Sequence, residues 1–199
     1  MKKSPIIWIA IGLVVLLFLG GIRGSYNKMV SMEETVSAQW SQVENVYQRR
    51  ADLIPNLVNT VKGYASHERE TLESVINARA KATQVKVDAS QLNESSVQEF
   101  QEAQSGLSSA LSRLMVVMER YPDLKADTGF RQLSNRISEL EDQIADRREL
   151  YNASVTIYNT RLDQFPDVLI ARTFNFADRT LWEINPAHRQ DVEVSFQHS

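Results

Sequence analysis

The stretch RRADLIPNLVNTVKGYASHE, Arg49 to Glu68, decides how this chain folds. It lies inside a longer apolar stripe. Val36, Trp40, Val43, Tyr47, Ile54, Leu57, Val61, Tyr64, Leu72, Val75 and Ile76 follow one another mostly three or four residues apart. That spacing places them on one face of an α-helix. Positions 36, 40, 43, 47, 50, 54, 57, 61 and 64 keep a single phase through Pro55, where a true loop would usually reset it. Proline has no N–H for the Ala51 carbonyl, and its ring crowds that carbonyl. The sequence therefore predicts either a bent helix or a helix restarted with Asp52 as its cap and Pro55 in the first turn. Both variants make this stretch a joint between nearly coaxial helices. Such a helix runs from about Asn27 to Ala82 and is about 80 Å long if continuous.

Composition agrees with a helix-rich protein. In 199 residues there are 7 glycines and 5 prolines, the two residues least compatible with helix interiors. There are no cysteines, which excludes disulfides, thiolate metal sites and a cysteine nucleophile. The net charge is -3. Removing Lys2, Lys3 and Arg23 from the 22 basic residues leaves 19 against 25 acidic ones. An acidic remainder argues against sequence-independent nucleic-acid binding.

Ser4 to Ile22, SPIIWIAIGLVVLLFLGGI, carries no charge. Its 19 residues, at about 1.5 Å each, nearly span a hydrocarbon core of about 30 Å. The run is long for the apolar part of a signal peptide, and no small-residue cleavage site follows it. A retained single-span anchor over residues 1–24 is expected, with Trp8 at an interface and residues 25–199 forming the soluble part. Gly20 and Gly24 have dimer-motif spacing but read better as a flexible exit from the membrane. Lys2 and Lys3 before the run balance Arg23 and Lys28 after it, so basic residues do not orient it.

Two further helices are expected. Lys81–Ser96 is polar and aperiodic, and Ser96 with Glu99 has the pattern of a capping box. From there to about Tyr121, Val97, Gln104, Leu111 and Met118 repeat every seven residues, as do Phe100, Leu107, Leu114 and Tyr121. This is a heptad seam with one polar guest, Gln104. Pro122 interrupts the helix, and Asp127 or Thr128 can cap a new one. That helix carries Phe130, Ile137, Ile144, Tyr151, Tyr158 and Phe165, and Pro166 ends it. Its companion positions drift from Leu133 and Leu140 to Val155 and Leu162, as in a straight helix. The tail holds a short helix at Val168–Arg172 and the aromatics Phe174, Phe176, Trp182 and Phe196, expected to cover the open face of the bundle.

Polar residues on or beside the seams are the candidate sites. Arg50 and Glu68 lie on the first helix, Glu119 ends the second, and Glu141, Arg147 and Arg148 lie on the third. Asn152 and Asn159 follow Tyr151 and Tyr158 at a seven-residue offset. A catalytic cavity is one reading. Half-buried pairs that fix helix register are the favoured one. His67-Glu68 fails the H-E-x-x-H zinc motif because position 71 is Thr, and His188 and His198 lie far off in the tail. No nucleophile-elbow, P-loop or dinucleotide motif occurs. Neither a metal nor a cofactor is expected, and Asp52, Glu68 and Glu119 are not placed together by sequence.

These residues resemble the LemA family. The resemblance rests on Tyr26-Asn27, Trp40, RRADLIPNLVNTVKGYASHE, Ala78-Arg79, ERYPDLKA (Glu119–Ala126), Arg148, Tyr151-Asn152, Tyr158-Asn159 and Phe165-Pro166, and the VEVSFQHS tail is similar to the family's V-x-F ending. It implies an all-α protein: an N-terminal transmembrane helix followed by a bundle of long antiparallel helices. It also implies a single-pass protein of the bacterial inner membrane with a short outside N-terminus and an inside soluble domain. No enzymatic activity or cofactor is established for the family, and some relatives are tied to building membrane compartments. The expected function is a membrane-anchored scaffold that self-associates or organises a membrane partner. A monomeric adaptor of a membrane protease, transporter or sensor is the alternative, and a hydrolase using Glu68 and Glu119 a remote third. Expected partners are the lipid bilayer, a second copy and an unidentified membrane protein, with no nucleic acid. Arg50, Asp52, Pro55, Asn56 and Glu68 at the joint, Tyr121, Pro122 and Asp123 at the turn, and Arg148, Asn152 and Asn159 are expected to set packing and bend. A scaffold should bare an apolar stripe, an adaptor a small patch in the tail, and an enzyme a pocket with two carboxylates.

Overall fold

The computed structural model describes residues 4–89 and 92–182, with side chains from Trp8 onward. Its helices are α1 (Ser4–Tyr64), α2 (Arg69–Gln84), α3 (Glu94–Met118), α4 (Pro122–Ala126), α5 (Thr128–Asp163) and α6 (Asp167–Thr173). Among the described residues there is no strand. Phe196, His188, His198 and the V-x-F ending lie outside the described residues.

α1 is one helix of 61 residues, about 90 Å long. Its first part is long and apolar enough to cross a membrane, and its side chains from Trp8 to Leu19 are exposed. The helix continues through Gly20, Gly21 and Gly24, so the expected flexible exit is instead rigid helix. The boundary drawn between residues 24 and 25 falls inside this helix. The helix also continues through Pro55, which removes the restart variant. Asp52 caps nothing; its carboxylate accepts a hydrogen bond from Gln48 Nε2 at 2.7 Å, one turn back.

The expected continuity to Ala82 fails ten residues beyond Pro55. α1 ends at Tyr64, and α2 starts at Arg69 after a turn in which Glu68 N–H donates to Ala65 O at 3.1 Å. The chain then folds back. Arg79 meets Ala51 at 2.8 Å, and Ser37 Oγ meets Ala89 O at 3.1 Å. The stripe kept its phase across the turn, so periodicity alone could not reveal it. Tertiary burial does: reversal lets Leu72 and Val75 close on the bundle, whereas Tyr64 and Ile76 are exposed.

The remaining helices complete an up-down-up-down bundle of α1, α2, α3 and α5. α3 returns alongside α1, bringing Phe100 to Trp40 and Tyr121 to Glu68. α5 runs antiparallel to α1: Tyr64 meets Asp127, Arg50 meets Glu141, and Trp40 meets Tyr151. Asp127 caps α5, accepting from Phe130 N–H at 2.8 Å. The α3 box is built one turn earlier than expected: Asn93 is the cap, pairing with Ser96 in both directions. Pro122 opens α4, where a missing N–H costs little. The seam of α5 holds from Phe130 to Tyr158, but Phe165 lies beyond the helix end and is exposed.

The core has two parts. One, toward the apolar end of α1, contains Met29, Trp40, Tyr47, Phe100, Tyr151 and Trp182. The other contains Ile54, Leu57, Val75, Leu107, Leu114 and Ile137. The hairpin of α1 and α2 has a direct spectroscopic test. In the native cysteine-free background, spin labels at Asn45→Cys and Lys81→Cys are expected about 20 Å apart, roughly two helix widths. A continuous helix would separate these positions by about 54 Å, and double electron–electron resonance resolves the two values.

Candidate functional site

The centre of the bundle is polar. Arg50 is 0% exposed, the only buried cation among the described residues. Its Nη1 donates to Glu141 Oε1 at 2.6 Å and Ser108 Oγ at 2.7 Å. Its Nη2 donates to Gln104 Oε1 at 2.9 Å and Gln104 O at 3.3 Å. The guanidinium lies 5.0 Å from the Tyr47 ring centre, and its Nε makes no hydrogen bond. Gln104 in turn donates to Ala82 O at 3.1 Å. One side chain of α1 thus joins α3 and α5 directly and α2 through Gln104. A planar fork of donors suits this task where an ammonium would not.

A second junction lies one turn further along α1. Pro55 cannot donate to the Ala51 carbonyl, and Ala51 is buried. Arg79 Nε donates to that carbonyl from α2 at 2.8 Å. The proline creates a bare acceptor, and the folded-back helix supplies its donor.

Near the tail, two asparagines hold backbone. Asn159 Nδ2 donates to Arg179 O at 2.8 Å, and Asn159 Oδ1 accepts from Arg179 N–H at 2.9 Å. Asn152 does the same with Trp182, at 3.0 and 2.7 Å. Seven residues of helix rise about 10.5 Å and three of extended chain about 10 Å, so the two clamps keep step. Tyr151 OH donates to Thr180 O at 2.7 Å between them. Trp182 is thereby set among Trp40, Tyr47 and Phe100, with ring centres 5.6 to 6.2 Å away. The Arg148 guanidinium covers its face at 5.0 Å. Burial pushes the phenols of Tyr47, Tyr151 and Tyr158 above their ordinary range, Tyr158 to about 12.

The expected site residues therefore divide. Arg50 and Glu141 come together. Glu68 accepts from Tyr121 OH at 2.9 Å and from Arg120 Nη2 at 3.3 Å, tying the α1–α2 turn to the α3–α4 turn. Arg148, Asn152 and Asn159 hold the tail. Asp52, Pro55, Asn56, Pro122 and Asp123 have exposed side chains; of these, Pro55 acts through its missing donor. Of the carboxylates considered for hydrolysis, Asp52 accepts from Gln48 on α1, while Glu68 and Glu119 both lie at the far tip, where Glu68 accepts from Tyr121 and Arg120 and Glu119 pairs with Lys125 at 2.6 Å. Arg79, Ser108 and the backbone clamps were not legible, because each depends on a partner twenty or more residues away.

An open groove of about 1130 Å³ lies between α3 and α5. Gln101, Ser105, Ser109, Ser112 and Arg113 form one wall, Glu141 and Arg148 the other, and Trp182 lies at one end. Its character is polar and mixed in charge. Among the described residues no cluster of three His, Cys, Asp or Glu could hold a metal. Among the described residues beyond the apolar run of α1, the seams close on one another and the stripe expected of a scaffold is not seen; the exposed large apolar side chains include Ile76, Val116, Leu150 and Ile157, and Phe165, Leu169 and Phe174 around the α5–α6 turn.

Two substitutions test these junctions by equilibrium unfolding. Arg50→Ala is expected to lower stability by about 3–5 kcal/mol, because it strands the groups paired with the guanidinium. Arg50→Met, which keeps the volume, should lose less. Arg79→Ala should cost about 1–3 kcal/mol by leaving a buried carbonyl bare. In a Pro55→Ala background, residue 55 regains an N–H for that carbonyl, so the cost of Arg79→Ala should shrink.

Comparison with known proteins places this architecture. Residues 39–196 match the sequence model of the LemA family. Magnetosome protein MamQ 2 of Paramagnetospirillum magneticum is 28% identical over 194 residues, covering 88% of this chain and 71% of the relative. Magnetosome protein MamQ of Magnetospirillum gryphiswaldense is 25% identical over 208 residues, covering 94% and 76%. Protein LemA of Metamycoplasma hominis is 26% identical over 172 residues, covering 86% and 75%. The match takes in α1 from residue 39, with Arg50, Pro55, Arg79 and both asparagine clamps, and the chain belongs to the LemA family.

Proposed function

We propose that this chain is a single-pass, membrane-anchored scaffold that holds a helical bundle at a fixed distance and angle from the bilayer and organises a membrane partner there. The carrying observation is α1. One uninterrupted helix begins in the uncharged run and ends at the far tip of the bundle. A partner bound to the bundle is then positioned by a rod, not by a tether. Among the described residues the buried charges, Arg50 and Asp167, are paired within the bundle. The kinship with proteins named for the magnetosome suits a role at a membrane. The location in this reading is the inner membrane, with the bundle on the cytoplasmic side.

The α3–α5 groove favours a second reading, a monomeric adaptor that takes one segment of a membrane protein along its polar walls. Mass decides between self-assembly and a lone adaptor. Full-length protein in nanodiscs is compared with a fragment starting at Ser25, which retains every buried core residue from Met29 onward. The scaffold reading expects a defined assembly of several copies that depends on the span. Monomers in both samples would remove self-association and leave the groove as the binding surface.

A further inference from the structure

One end of the bundle carries an apolar corner that the fold leaves uncovered. α5 ends at Asp163, the chain turns through Phe165-Pro166, and α6 follows. Phe165 is 82% exposed, Leu169 59% and Phe174 52%. Their surroundings are firmly held. Asp167 is buried and pairs with Arg161 at 2.5 Å, and Ile170 and Ala171 belong to the core. The exposure therefore belongs to the folded structure and is not an effect of fraying.

The corner has a fixed level along α1. The Phe174 ring sits 4.9 Å from Tyr26, edge to face, and Phe176 lies 5.5 Å from the same ring. Ile22, the last residue of the uncharged run, packs against the same core as Phe176. Tyr26 is four residues past Ile22, about 6 Å along the helix axis. The antiparallel register of α1 and α5, in which 40 meets 151 and 50 meets 141, brings Phe165 to the level of Tyr26. Phe174 and Phe165 thus lie where the apolar run ends, with Leu169 exposed between them on α6. Arg23, one turn before Tyr26, and Arg172 on α6 are exposed, as is Lys28 at the same level on the other side of α1, and Asp163 and Asp178 are exposed acids of the same segments. Aromatic and long aliphatic side chains fringed by cations are the composition of a bilayer interface, and an apolar patch of this kind is not left to water without a partner.

We propose that the α5–α6 corner is a second membrane contact: Phe165, Leu169 and Phe174 enter the headgroup region beside the span, and Arg23, Lys28 and Arg172 face lipid phosphates. The proposal rests on reading Ser4–Ile22 as a span. It makes the bundle a two-point attachment, so the bundle cannot spin about α1 or change its tilt without withdrawing apolar side chains from lipid.

The natural absence of cysteine makes nitroxide depth measurement direct. Full-length protein is placed in vesicles of phosphatidylethanolamine and phosphatidylglycerol with one label at a time. Thr173→Cys reports the corner without removing an apolar side chain, Val14→Cys the span, and Val116→Cys the far tip. Collision with oxygen, which concentrates in lipid, is compared with collision with a water-soluble nickel chelate. The expected result is a label at 173 shielded from nickel several-fold relative to 116 and open to oxygen. That shielding should vanish in the Phe165→Ser, Leu169→Ser, Phe174→Ser triple variant. A nickel profile at 173 equal to that at 116, with 14 still lipid-exposed, overturns the corner contact while the span stands. Shielding of 173 from both reagents shows a second protein copy on the patch and also overturns it. Nickel access at 14 overturns the span, and the corner proposal with it.

Discussion

A guanidinium shut away from water must find its acceptors inside the protein, and the rest of this bundle is arranged around that demand. Arg50 sits between two apolar core regions and reaches Gln104, Ser108 and Glu141 on two other helices. Apolar seams tolerate sliding by a turn, because one leucine packs much like the next. A charged fork with bonds of 2.6 to 2.9 Å to three side chains does not. Glu141 remains partly open to water, so only the guanidinium of the pair is fully enclosed. Arg50 thus sets the register of α1, α3 and α5, and Gln104 extends it to the end of α2 through Ala82 O.

Pro55 and Arg79 set the register of the fourth element. Inside a helix a proline is destabilising by about 3 kcal/mol, partly through the acceptor it leaves bare. Here the bare Ala51 carbonyl becomes the docking point for α2. A defect in one helix therefore aligns its neighbour. Together with the Glu68–Tyr121 bond at the far tip, it pins the hairpin at its middle and its end.

The opposite end is closed by chain that is not helical. Asn152 and Asn159 read the backbone of residues 179–182, and Glu33 on α1 pairs with Arg179. These bonds deliver Trp182 into an aromatic group in which each edge-to-face pair adds about 0.5–1.5 kcal/mol. From this closed end α1 continues without interruption into the apolar run.

The sequence by itself determined the helices and their buried faces. The uncharged Ser4–Ile22 run, the stripe through Trp40 and Ile54, the heptads of Val97–Met118 and Phe130–Tyr158, and a cap at Asp127 or Thr128 all follow from local spacing and chain chemistry. The resemblance carried by RRADLIPNLVNTVKGYASHE supplied the family. What tertiary structure alone decided was the fate of that stripe. Its phase runs unbroken from Val36 past Leu72, and local rules read it as one rod. The chain reverses after Tyr64, and Leu72 and Val75 are then covered in one cluster with Ile54, Leu57 and Val61 of α1 and Leu107, Leu111 and Leu114 of α3, an arrangement that only distant contacts specify. The donor for Ala51, the acceptors of Arg50 and the backbone held by the asparagines were hidden for the same reason. A hydrogen bond between distant residues leaves no period in the sequence, so it becomes visible only when the fold brings its two halves together.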